Sequence, residues 1–518
     1  MRPEKFGLLS LIAIGTGSII GSGWLFSAYY AAKYAGSGAY LAWILGAFLT
    51  LILTLILSEV VTLHPKRGLF TRLLTLSHNH DVGYITAIAN WLGIVAVIPT
   101  EADATVQYLS AIEPEWTPYL FINDNLTTLG LGCVVVLLII YALINFWGVR
   151  LFAKSNNTIT LFKVLIPVVT SIVIIIAAFH PGNFTAEQHK ILPFGASSVF
   201  GAVMACGIVY AFNGFQSITS FCAEAKNPER NVPLSMIISI FLCLGIYLLL
   251  QTAFIGGLPP SMLKAGWHNL DFSSPIVQLT ALLGLNAMSV LLYVDACVSP
   301  SGTGIIYVGT TTRMLTAMAQ EEQAPSFFNV LHPKYHFSRR SLVFNILLSC
   351  LLLFMFKSWA SLVAIVSLFH ILSYMACPIA MMRLRITEAS RKRRYKLPFA
   401  AIICPLTFIL ITFLYCFTAE KNLLTVTTAV VIFYGGYIIV HNRFKLSGIL
   451  FSLKRSVIMV AYLIWLAFLG YLGNPVDGGI NVITHEEFYA LIIISSLIFY
   501  YIMVYRYPID KPKKIRKK

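Results

Sequence analysis

Charge is what this sequence has least of. Of 518 residues only 11% are Asp, Glu, Lys or Arg, while 58% are apolar and the mean hydropathy is +0.79. An ordinary soluble domain carries about 25% charged residues, so the deficit excludes a soluble enzyme, a disordered chain and a nucleic-acid binder. The nine cysteines all fall in apolar stretches with no C-x-x-C pair, which suggests neither a disulfide framework nor a zinc site. No Gly-Lys dipeptide occurs, so there is no Walker loop and ATP is not the direct drive. H-E-x-x-H, G-x-S-G at an apolar-span serine and G-x-G-D are missing too, which leaves an intramembrane hydrolase without metal or nucleophile. No metal and no cofactor is expected.

What the chain has instead is long apolar runs. A helix needs about 20 apolar residues to cross the hydrocarbon layer, and fourteen candidate spans are predicted. They are 7–32, 39–63, 83–112, 127–149, 156–179, 197–223, 234–257, 283–311, 341–357, 359–382, 398–418, 423–441, 452–472 and 487–507. Spans nine and ten are divided only by the Lys357-Ser358-Trp359 turn. Met1–Lys5 is a short basic stub, and the Gly-containing run after it is longer than the apolar core of a leader peptide. Basic residues test the count. Numbered from an inside N-terminus, and with Lys454, Arg455 and Arg506 at the inner ends of their spans counted as inner, inner segments hold 31 of the 37 Lys and Arg, outer loops five, and one, Lys163, lies deeper inside a span. That bias predicts a multi-pass inner or plasma membrane protein with both termini cytoplasmic. The net charge of +16 is then a topology signal, with Arg391–Arg394 and Lys511–Lys518 set against anionic lipid rather than nucleic acid.

Two spans break the composition of a simple membrane helix. The first reads Gly15-Thr-Gly-Ser-Ile-Ile-Gly-Ser-Gly-Trp24 near its middle, and the sixth reads Gly207-Ile-Val-Tyr-Ala-Phe-Asn-Gly-Phe-Gln216. Each glycine inside a helix costs about 1 kcal/mol relative to alanine. Close helix packing of the Gly17-xxx-Gly21 kind accounts for the first span equally well. The pairing favours unwinding: spans one and six each open a set of five, and five being odd, the second set runs inverted. Interrupted helices at matching places of inverted halves point to a transport site at the bilayer midplane. Unwound backbone is tolerated there only where it lines a polar cavity. Its free N–H groups attract a carboxylate and its freed carbonyls accept from an ammonium group, the two groups of an α-amino acid.

Four motifs carry a resemblance. They are Gly17-Ser-Ile-Ile-Gly-Ser-Gly23, Glu224-Ala-Lys-Asn-Pro-Glu-Arg-Asn-Val-Pro233, Arg313-Met-Leu-Thr-Ala-Met-Ala-Gln with Ala324-Pro325, and Glu59 followed by Pro65-Lys-Arg-Gly68. In their order along the chain, over about residues 7–385, they resemble the amino acid–polyamine–organocation (APC) permeases, most similarly the bacterial aspartate–proton symporter-like members. The resemblance implies an all-α, LeuT-like fold of two inverted five-helix repeats with broken helices 1 and 6. The core would be residues 1–385, and 386–518 would add four helices and a basic tail. The chain departs from the family at Gly214-Phe215-Gln216, where many members have G-F-D, and at Ala223, where a glutamate is usual.

Ionisable groups inside the bilayer are costly and are functional candidates by default. Lys163 either snorkels to the inner surface or, as the resemblance implies, fills the sodium position of sodium-coupled relatives against unwound carbonyls of span one. Glu101 and Asp103 stand about 200° apart on span three. Either both sit at the outer membrane edge, or one faces the pathway, where a carboxyl in a dry site can carry a proton. Asp295 precedes a polar break, Ser299-Pro300-Ser301-Gly302-Thr303, and is a further coupling candidate. His370 reads as a hydrogen-bonded interior histidine. Glu59 and Glu224 are candidates for a cytoplasmic latch and Trp24 for a lid. Substrate binding is expected from Ser18, Ile19, Gly21, Ser22 and Gly23 of span one and from Tyr210, Phe212, Asn213 and Phe215 of span six, whose aromatics also suit plain packing.

The function expected is proton-coupled import of an amino acid by alternating access, with the proton, the amino acid and the lipid bilayer as partners. An antiporter and a cationic amino acid or polyamine carrier are the alternatives, an intramembrane enzyme or a transport-inactive sensor the remote ones.

Overall fold

The computed structural model describes residues 6–64, 69–146, 150–185, 192–332, 337–473 and 479–508, with side chains not described at 114, 150–159, 220, 223 and 224. Apart from one two-stranded hairpin, Phe121–Ile122 with Asn125–Leu126, the regular elements described are helical. Among the described residues, eleven helices are long and apolar enough to cross a membrane, or twelve with the bent pair Gly195–Ala205 and Ile208–Thr219. Fourteen spans result when the 41-residue stretch Gly23–Leu63 is divided at the turn Gly36–Gly38, the shorter helix Leu8–Ile19 is joined to its first part as one broken span, and the shorter helix Ala400–Cys416 is added.

Local chemistry sets the boundaries. Asn79 starts span three (His80–Ser110) by accepting from the Val82 amide at 2.9 Å, with Asp81 in the first turn, where a negative charge meets the helix dipole. Between spans nine (Arg339–Phe356) and ten (Trp359–Thr387), Lys357 turns left-handed at φ 41° and Ser358 caps the next helix through the Ser361 amide. Thr484 and Glu487 form a reciprocal capping box at the start of span fourteen (His485–Tyr501). One expected break is absent. Span eight (Asn286–Gln320) runs straight through Ser299-Pro300 as a single helix.

Packing follows the two sets of five. Span two (Ala39–Leu63) lies against span seven (Pro228–Gly257), and span three against span eight. Span three also packs on span ten and is buried from Asp81 to Tyr108. The helix Ala400–Cys416 covers span ten, while Glu420–His441 and Leu446–Gly473 lean on span three. Outward faces carry bare apolar side chains such as Leu347, Ile402 and Ile432, each at least 60% exposed. So much apolar surface is stable only in lipid. The bundle has a hairpin end, with Phe121–Leu126 and Lys357, and a basic end, with Arg385–Lys396.

Candidate functional site

Span one is broken at mid-length. Helix Leu8–Ile19 stops at Ile20, whose backbone is extended (φ −80°, ψ 101°), and the next helix starts at Gly23. The groups so released need partners, since an unsatisfied amide in hydrocarbon costs several kcal/mol. Ionisable side chains answer them. The Lys163 ammonium donates to Gly17 O at 3.3 Å, to Ile20 O at 3.0 Å and to Thr303 Oγ1 at 2.6 Å. Tyr307 donates to Ser18 O at 3.4 Å. The Ser22 amide donates to both oxygens of Glu101, at 2.9 and 3.2 Å.

Glu101 also accepts from Tyr210 OH at 2.5 Å. The tyrosine hydroxyl lies 3.2 Å from Ser22 Oγ, which in turn accepts from Trp359 Nε1 at 3.1 Å. Ser22, Glu101, Tyr210 and Trp359 thus form one polar cluster drawn from spans one, three, six and ten. A Cβ at Gly21 would strike the Glu101 carboxylate, so a larger residue there would displace that side chain.

Span six breaks twice. Gly207 at φ +79° separates Gly195–Ala205 from the short helix Ile208–Phe212, and Gly214 at φ +110° separates that from the 3₁₀ turn Phe215–Glu224. A Cβ at Gly214 would lie 2.5 Å from Ser18 O, so the two breaks meet backbone to backbone.

Between the breaks is a cavity of about 10 Å³ lined by Ser18, Ile19, Gly21, Val97, Glu101, Tyr210, Asn213, Thr303 and Tyr307. That is the room one water needs, so an amino acid enters only if the walls move. Towards the hairpin end it is covered by Trp359, which stacks on Phe26 at 4.5 Å and on Tyr30 at 5.6 Å, and by Tyr108, edge-on to Phe26. Beyond these rings lies a larger chamber, about 420 Å³, lined among others by Gln107, Asp124 and Asp271. Burial and the neighbouring Asp271 push the Asp124 carboxyl above its ordinary range. Towards the basic end Tyr374 packs on Phe215 and Phe70 and reaches Asn213 Oδ1 at 3.5 Å.

The expected site residues divide accordingly. Ser18, Ile19, Gly21, Tyr210 and Asn213 line the cavity, Ser22 holds Glu101, and a Cβ at Gly23 would lie 3.3 Å from Ala211. Phe212 and Phe215 turn away from it. Phe212 packs edge-on to Trp43 and Tyr247, and Phe215 lies against Tyr374. Two of the expected acceptor carbonyls are engaged, Tyr210 O by the Asn213 amide and Ala211 O by Tyr247 OH. Of the two acids on span three, Glu101 reaches the cavity. Asp103 is fully buried elsewhere, both of its oxygens without a hydrogen-bond partner among the described residues. The helix that carries both continues to Ser110.

Asp295 is nearly buried on span eight and its charge acts on Lys163. His370 meets Val366 O at 2.7 Å. Trp24 is fully buried and does not line the cavity; Trp359 covers it instead. Glu59, 1% exposed, is held by Arg385 (2.9 and 2.5 Å), by Arg393 (3.2 Å) and by the Leu397 amide (2.8 Å), which fastens the basic ends of spans two and ten and the loop after it. Glu224 closes the turn Phe215–Glu224, and its side chain lies outside the described residues, as does the Pro65–Gly68 motif. Trp359, Thr303 and Tyr307 are additions. The sequence held a signal for the last two: Asp295, Ser299, Thr303 and Tyr307 recur every four residues, one polar stripe along one helix face.

Comparison with known proteins places this geometry in context. The family model described as amino acid permease matches residues 6–440. The glutamate/serine transporter AimA of Bacillus subtilis is 40% identical over 500 residues, covering 96% of this chain and 93% of that one. The aspartate-proton symporter of the same organism is 31% identical over 504 residues, covering 96% and 95%. A manganese transporter from Eremococcus coleocola, 12% identical, superposes with a TM-score of 0.54 over 89% of this chain and 94% of its own, a likeness of fold alone.

Proposed function

The chain belongs to the amino acid permease family, and on that premise we propose that it imports an amino acid with protons across the plasma membrane. Its termini lie in the cytoplasm, so the hairpin end faces out. The observation that carries this reading is the pair of ionic partners at the span one break. Lys163 stands on the freed carbonyls as a fixed cation, where a sodium-coupled carrier would need a metal. Glu101 stands on the freed amide and can carry the proton, with Asp295 close enough to share the field of Lys163.

Glutamate, serine and aspartate are the first substrates to try, since the two relatives are named for them. A small polar amino acid suits the hydroxyls of Ser18, Tyr210, Thr303 and Tyr307 around the cavity. Spans one and six, hinged at their breaks, rock against span three to open each end in turn. Glu59 with Arg385 and Arg393 latches the cytoplasmic side, and the helices of 386–518 stay outside the moving core as packing for spans three and ten. No step of this cycle needs enzymatic chemistry or a cofactor.

The test is uptake of labelled amino acids into proteoliposomes under an imposed proton gradient and, separately, a sodium gradient. Proton-driven accumulation of an acidic or small polar amino acid, indifferent to sodium, is expected. Sodium-dependent uptake overturns the coupling, and preference for lysine or polyamines overturns the substrate class.

A further inference from the structure

Glu101 does more than sit near the break. A carboxylate arriving with a substrate would bind freed amides at the span one break, and Glu101 already holds that of Ser22 with both oxygens, at 2.9 and 3.2 Å. Tyr210, a cavity-lining residue from the opposite broken span, donates to the same carboxylate. The carboxylate also abuts the space above Gly21, and only about 10 Å³ remains beside it. The side chain therefore makes the hydrogen bonds a bound amino acid would make through its own carboxylate.

We propose that Glu101 is a built-in stand-in for the substrate carboxylate, and that the coupling proton works by discharging it. Ionised, Glu101 keeps the Ser22 amide and the Tyr210 hydroxyl occupied, and the site is shut to anions. Protonated, it is a far weaker acceptor, since hydrogen bonds to a charged group are about twice as strong as neutral ones. The amide is then released to the incoming carboxylate. One carboxylate replaces another beside Lys163, and the loaded site carries the one extra positive charge of the proton, borne by the substrate ammonium. No bond but O–H is made, and the proton comes from the side on which substrate arrives.

The surroundings leave Glu101 as the group in position. The cation whose field reaches it is Lys163 of span five, and the groups within reach of its own charge are the uncharged hydroxyls of Tyr141 of span four, Tyr210 of span six, Tyr247 of span seven and Tyr307 of span eight. Asp295 of span eight acts on Lys163. His370 of span ten meets span three at Gly93, two turns away, and Asp103 faces another side of the same helix. None of these touches the Ser22 amide.

This inference rests on the amino acid transport reading, and the experiment separates the two. Binding of the transported amino acid to the purified full-length protein is measured by calorimetry from pH 5 to pH 9, in two buffers of different ionisation enthalpy. For the native protein about one proton should be taken up per amino acid bound, and affinity should fall about tenfold per pH unit at the alkaline end. Glu101→Gln should bind with no proton uptake and no pH dependence.

Glu101→Asp, one methylene too short to keep the amide, should hold substrate at alkaline pH at least tenfold more tightly than the native protein, and serves if the glutamine variant does not fold. Persistent proton uptake in Glu101→Gln overturns the stand-in role and leaves transport standing. Loss of binding in folded Glu101→Gln overturns it as well, because the carboxylate would then be a substrate contact. If the native protein binds no amino acid at any pH, the transport reading itself fails.

Discussion

Removing the Lys163 ammonium tests the architecture of the break most severely. Lys163→Ala takes away the donor to Gly17 O and Ile20 O, leaving two acceptors without that partner in a buried setting. Each unsatisfied group costs about 1–3 kcal/mol, so the open geometry of span one loses about 2–6 kcal/mol. The variant also strands the Glu101 carboxylate without its nearest cation, and unpairing a buried charge is itself worth about 3–5 kcal/mol. Taking only the lowest figure, about 2 kcal/mol, and about 1.4 kcal/mol per decade, kcat/KM for uptake should fall at least about 30-fold.

Lys163→Gln can still donate to a carbonyl and should retain more activity than Lys163→Ala. The assay is initial-rate uptake into proteoliposomes, normalised to protein that elutes as a single species and melts cooperatively. Folded Lys163→Ala that transports within about threefold of the native protein refutes the reasoning.

Other consequences follow from the same geometry. Glu59→Gln removes the charge on which Arg385, Arg393 and the Leu397 amide converge, a loss of about 3–5 kcal/mol for a buried pair. The variant should melt earlier, and Cys404, fully buried beside this group, should react faster with maleimide as read by mass spectrometry. Gly214→Ala places a side chain at φ +110° and a Cβ against Ser18 O. The strain of about 1–3 kcal/mol should cut uptake at least fivefold, whereas Gly132→Ala, where nothing lies within 4 Å, should leave it unchanged.

The raised Asp124 carboxyl gives a pH dependence with a definite sign. Its proton is held more tightly folded than unfolded, so its contribution to stability is complete below the ordinary aspartate pKa. That contribution is lost as pH rises through the folded value. Asp124→Asn should flatten the fall in melting temperature over that window, and an unchanged pH profile would count against the assignment.

Spans were legible in this sequence because crossing a bilayer imposes a length and a composition at once. The breaks were legible for the same reason: clustered glycines are costly in a membrane helix unless the backbone is put to use. Lys163 stood out as the one cation inside an apolar run. Tertiary facts were not legible. That Glu101 rather than Asp103 reaches the cavity depends on the rotation of span three about its axis, which a helix buried on all sides does not announce by a polar face. Phe212 and Phe215 were misplaced because left-handed glycines at 207 and 214 reset the helical phase on either side of them. Pro300 promised a break, yet span eight is continuous through it. Trp359 read as a turn residue, and only the fold brings it over Ser22.

The most direct measurement is a structure of the protein at acidic pH with its amino acid bound. The account predicts a ligand between the breaks of spans one and six, its carboxylate on the Ser22 amide, with Glu101 withdrawn and Lys163 still on Gly17 O and Ile20 O. An amino acid seated only in the chamber near Asp124 and Asp271, with Glu101 still holding Ser22, would contradict it.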